Sequence, residues 1–107
     1  MVRDTPYGKR QEQKHVKDAE LEFKIVVRRN RLLGLWAAEK MGLDGDEAAA
    51  YAKEVIQADF EEPGDEDVIR KVVKDFRDKG VTIGDGEVRG EIARQYDVAR
   101  KQIASEH

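Results

Sequence analysis

The apolar positions between Phe23 and Met41 fall on one side of a helix. Phe23, Val26, Asn30, Leu33, Ala37 and Met41 follow a 3-4-3-4-4 spacing, a single face with one polar member. Ile25, Leu32 and Trp36 make a neighbouring stripe, so this helix is apolar over a wide arc near its C-terminal half and packs on more than one neighbour. It is predicted to begin between Gln11 and Lys17 and to run to Met41, with Gly42 as its stop. Asp44-Gly45-Asp46-Glu47 is a capping-box-like start for a second helix to about Glu61, burying Ala48, Tyr51, Ala52, Val55, Ile56 and Phe60. Pro63 and Gly64 break it, and Asp65 is placed to cap a third helix from Glu66 to Lys79. Ile69, Val72, Val73 and Phe76 face inward there, and Gly80 stops it. Asp85 is expected to cap a fourth helix to about Ala104, marked by Val88, Ile92, Tyr96, Ala99 and Ile103. Only Val81, Thr82 and Ile83 read as strand, too little for a sheet.

The fold class is therefore all-α, a small four-helix bundle over residues 14–107. Residues 1–13, MVRDTPYGKRQEQ, hold Pro6, Gly8 and many charges but no periodic apolar face; they read as a disordered N-terminal tail. At 107 residues the chain is long enough for one modest core.

Charge changes the picture through its distribution. The formal net charge is only −3, although 40% of residues are charged. From Met1 to Leu33 nine Lys/Arg stand against five Asp/Glu, a net of +4. From Asp44 to Asp67 ten acids stand against Lys53 alone, a net of −9. Such a chain can meet a partner of either sign or pair its own halves. No apolar run approaches the roughly 18 residues of a membrane span, nor is there one of signal-peptide length. The expected setting is cytoplasmic, without membrane insertion.

Candidate chemistry is sparse. There is no cysteine, Ser105 is the only serine, and the histidines are His15 and His107, so neither a nucleophile triad nor a zinc site is expected. Asp59 to Arg70 places acids at positions one, three, seven and nine of a calcium-type loop with Gly64 at six. Pro63 at five and Arg70 at twelve, where a bidentate Glu is needed, argue for a solvated turn instead. The glycines of GVTIGDGEVRG lack the Lys-Ser/Thr ending of a phosphate loop and read as a flexible connection. Arg28, Arg29 and Arg31 are the candidate anion-binding cluster. The acidic second helix would repel nucleic acid, and pairing with acids of the second or third helix is the structural alternative. His15, beside the junction of tail and bundle, reads as an ordinary solvated histidine.

Residues 28–76, beginning RRNRLLGLWAAEK and continuing through AYAKEV and GDED, closely resemble the zeta subunit of alphaproteobacterial F-type ATP synthases; the rest of the chain resembles it loosely. Within the signature, Gly34 is expected to permit close helix approach beside Trp36. The resemblance implies a four-helix regulator, not an enzyme, that inhibits ATP hydrolysis by the catalytic sector. It implies an N-terminal segment that orders on entering an interface between catalytic subunits, here carried by Tyr7, Lys9, Arg10, Glu12, Lys14, His15, Asp18, Glu22 and Phe23. The partners implied are the catalytic-sector subunits, with the free chain a monomer and the bound one peripheral to the inner membrane. Weak ATP or ADP binding, at Arg28, Arg29 and Arg31, is the one ligand implied; no other cofactor and no metal is expected. The sequence departs from the family in the tail: aromatic positions hold Asp4, Gln11 and His15, and Pro6 and Gly8 oppose a helix. Tyr7 is left as an anchor, and inhibition is expected to be weakened. The alternative is a bundle without inhibitory power, serving as a nucleotide, anion or assembly module.

Overall fold

The structure is a computed structural model that describes the backbone of residues 4–61 and 64–106, and side chains from Ala19 onward except 61–63 and 107. Among the described residues it contains helices α1 (Asp4–Lys40), α2 (Gly45–Glu61), α3 (Glu66–Asp78) and α4 (Asp85–Ser105), and no strand.

Helix α1 starts well before the predicted Gln11–Lys17 window. No Gly or Pro interrupts residues 9 to 33, so nothing in the chain breaks the ladder there. Pro6 falls in the first turn, where a backbone N–H has no intrahelical partner and its absence is tolerated. The tail expected over residues 1–13 lies outside the residues whose side chains are described.

Helices α1 and α2 form an antiparallel hairpin. A Cβ built on Gly34 would lie 2.6 Å from the Cα of Ala52, so the backbones touch where only glycine fits. The turn between them is a Schellman motif: Gly42 has φ +79°, Leu43 N–H donates to Ala38 C=O at 2.8 Å and Gly42 N–H to Glu39 C=O at 3.1 Å. The end of α3 repeats it at Gly80. Beyond that point Val81 and Ile83 both pack on the core while Thr82 is exposed, so the strand-like triplet is an extended connection with period-two burial.

Two of the expected caps differ. Asp65 does occupy the N-cap of α3, but its side chain bonds no backbone amide of that helix. Asp85 is the first residue inside α4, and Gly84 is the N-cap.

The main core joins Leu33, Ala37, Tyr51, Val55, Val72, Phe76 and Val88 from all four helices, with the Trp36 ring edge-on to Phe76 at 5.7 Å. A second cluster, Ile25, Ala99 and Ile103 with Leu32 and Tyr96, joins α1 to α4. Val68 is also fully buried, which the α3 pattern had not marked. Phe23 and Phe60, both expected inside, are exposed.

Candidate partner-binding surface

Two arginines of the cluster fix α1 against the bundle. Arg29 is 4% exposed; its Nε and Nη2 donate to Asn30 Oδ1 at 3.1 and 2.9 Å, and Nη2 also donates to Asp65 Oδ1 at 2.9 Å. A buried guanidinium is tolerated here because its charge is paired and its Nε and Nη2 donors are met. Arg28 turns to α4, donating to Gln102 Oε1 at 2.9 Å and pairing with Glu106 at 2.9 Å. Arg31 is exposed and makes no ion pair to a described residue. Successive helical residues point about 100° apart, so the arginine run is divided among neighbours rather than gathered. Pairing with acids of the second or third helix, the alternative, holds for Arg29 with Asp65 at the N-cap of α3, whereas Arg28 meets Glu106 at the C-cap of α4.

Further along α1, Glu22 Oε1 accepts the Tyr96 hydroxyl at 2.7 Å. That bond to a carboxylate, aided by partial burial, raises the Tyr96 pKa above the ordinary phenol value. One position on, the Phe23 ring stacks against Phe60 of α2, centroids 6.0 Å apart and planes 17° from parallel. The rings remain 58% and 59% exposed. Phe60 stands next to the last residue of α2, so upstream of Phe23 the first helix has outrun its hairpin partner. The molecule measures 65 × 25 × 21 Å, elongated by that projection.

Of the segment singled out from the sequence, only Glu22 and Phe23 have described side chains. Tyr7, Lys9, Arg10, Glu12, Lys14, His15 and Asp18 lie on α1 ahead of Ala19, outside the described side chains. Sequence reading missed Phe60 as a surface residue. Its place in the last turn before the Pro63-Gly64 break was the available signal, since a helix end loses neighbours on one side.

A cleft of about 230 Å³ opens at the other end of α1, lined by Met41, Leu43 and Tyr51 with Glu54, Asp75 and Asp78. The Tyr51 hydroxyl donates to Asp75 at 2.8 Å; burial first, and this bond second, hold its pKa far above the tyrosine range. Lys71 bridges Glu54 and Asp75 at 2.9 and 3.0 Å, and Lys74 pairs with Asp78 at 2.9 Å, so the charges close on one another. Among the described residues no group of three or more His, Cys, Asp or Glu is placed to hold a metal ion. No described helix is long and apolar enough to cross a membrane.

The chain matches the sequence model of the family described as ATPase inhibitor subunit zeta over residues 7–102. It is similar to a structure solved by solution NMR, with 48% identity and a TM-score of 0.73, over 81% of this chain and 99% of that one. No curated protein gives a significant match.

Proposed function

Because the chain belongs to the ATPase inhibitor subunit zeta family, we propose that it inhibits ATP hydrolysis by the catalytic sector of the F-type ATP synthase through its N-terminal segment. Its family is one of regulators, not catalysts. The observation that carries the finer reading is the extent of the match. It begins at residue 7 and so takes in the stretch of α1 that outruns α2, as well as the bundle.

In this reading the two parts have separate tasks. The segment bearing Tyr7, Lys9, Arg10, Glu12, Lys14, His15 and Asp18 enters an interface between catalytic subunits and blocks rotation in the hydrolytic direction. The bundle stays outside and fixes where the segment starts. From Tyr7 to Phe23 is 16 helical residues, about 24 Å of reach. A helix seated along that length needs anchors, and Tyr7 is the aromatic available ahead of Phe23. With Asp4, Gln11 and His15 at the family's aromatic positions, binding is weaker than a fully aromatic segment would give. Pro6, in the first turn of α1, leaves the helix beyond it intact.

The test is ATP hydrolysis by the purified catalytic sector, titrated with the full chain and with a version starting at Lys17. Inhibition by the first and not the second supports the reading. Inhibition by neither refutes it and moves the chain to a non-inhibitory assembly or nucleotide-binding role.

A further inference from the structure

Two phenylalanines of one small bundle stand more than half exposed and side by side. Phe23 belongs to the apolar face of α1 and Phe60 to that of α2, so each occupies a position whose periodicity points inward. Their rings stack on one another and remain more than half exposed, whereas exposed apolar area is normally found as scattered single residues. Exposed Glu20, Lys24 and Gln57 lie near them in sequence, and Glu22 beside Phe23 is held by Tyr96. An apolar centre with polar neighbours is the composition of a binding hot spot.

Its position says what covers it. The pair lies where α1 leaves its hairpin partner, five residues beyond Asp18 and on the same continuous helix. A protein that grips the projecting part of α1 along its side passes exposed Leu21 and then meets these two rings, the larger apolar surface. Phe60 is also held in fixed register to α1, because the Gly34–Ala52 backbone contact locks the hairpin two turns away. The patch is thus a continuation, on a second helix, of whatever surface receives the segment.

We propose that Phe60, stacked on Phe23, is a bundle-borne anchor for the catalytic-sector subunit that receives the N-terminal segment, seated in an apolar depression at the rim of that interface. The inference rests on the inhibitory reading above and extends it to α2, outside the segment. Binding then has two parts, the projecting helix and the ring pair, and their fixed spacing sets how deep the helix can enter.

The experiment compares full-length wild type with Phe60→Ala and Phe60→Leu in hydrolysis titrations on the catalytic sector, with thermal melts and sedimentation of each free protein. Phe60→Ala is expected to raise the half-inhibitory concentration about tenfold, equivalent to about 1.4 kcal/mol. Phe60→Leu, which keeps apolar bulk, is expected to recover part of that, and the melts to stay within a few degrees of wild type. Wild type that fails to inhibit would sink the inhibitory reading itself. Wild type that inhibits with a curve unchanged in Phe60→Ala would overturn the anchor alone. A free dimer that Phe60→Ala dissolves, with unchanged inhibition, would give the patch to a second copy and overturn it likewise.

Discussion

Asp65 stands at the N-cap of α3, yet its carboxylate accepts a hydrogen bond from Arg29, 36 residues earlier, at 2.9 Å. An N-cap acid usually takes a backbone amide of its own helix. Here it is diverted by a buried guanidinium whose other acceptor, Asn30, is neutral. Helix α3 gives up a cap and the bundle gains the neutralisation of a charge between α1 and the α2–α3 connection.

Removing that partner should therefore hurt more than removing a cap. Asp65→Ala is expected to lower stability by about 2 kcal/mol, with Asp65 itself 44% exposed and solvent limiting the loss. Asp65→Asn keeps an acceptor oxygen and should lose clearly less. Urea unfolding at neutral pH separates the two. If both variants unfold like wild type, Arg29 does not depend on Asp65.

The closest approach in the hairpin makes a second prediction. Alanine is a better helix former than glycine by about 1 kcal/mol, so Gly34→Ala would stabilise an isolated helix. In the bundle its Cβ would sit 2.6 Å from Ala52 Cα, an atom that moves only if α2 moves. Overpacking of this kind costs roughly 1 to 3 kcal/mol, so the net change should be destabilising. The double variant with Ala52→Gly relieves the 3.1 Å Cβ contact and leaves the 2.6 Å one. It should restore little, and full recovery in a thermal melt would contradict the geometry.

Gly90 is the converse case. It lies inside α4 with nothing within 4 Å of a built Cβ. Gly90→Ala should stabilise by about 1 kcal/mol, a melting rise of several degrees in a chain this size. Gly80→Ala, at φ +74°, should instead lose about 1 to 2 kcal/mol. Melting the two variants side by side checks the contrast.

The helices, their glycine stops and most of the core were legible because each rests on local information. Leu33, Ala37, Val55, Val72 and Phe76 repeat at helical spacing, and Gly42 and Gly80 sit where left-handed C-terminal residues are required. Gly34 was legible as a close approach because a glycine inside a long apolar helix needs a neighbour to justify it. What periodicity cannot carry is how far each element extends past its neighbours. Phe23 and Phe60 lie on apolar faces, but α2 ends at Glu61, and both stay more than half exposed. Likewise, nothing local told Asp65 to choose Arg29 over its own helix, or Tyr96 to choose Glu22. The candidate site was legible as a segment and not as a surface, because a surface depends on which ends coincide.

Tyrosine titration gives the last prediction, with its sign set by two hydrogen bonds. Tyr51 is buried and donates to Asp75, and Tyr96 donates to Glu22; both are pushed above the ordinary value of 10.0. The folded state therefore holds these protons more tightly than the unfolded chain. The corresponding stability is fully present below about pH 10 and is lost as pH rises past it toward the folded-state values. Phenolate absorbance should show Tyr51 and Tyr96 ionising late, Tyr51 the later because burial adds to its bond. Tyr96→Phe should remove one delayed step and leave the other, with little change in stability, since Glu22 is exposed. If Tyr51 and Tyr96 ionise together near pH 10 while the fold persists, neither hydroxyl is held by its carboxylate in solution.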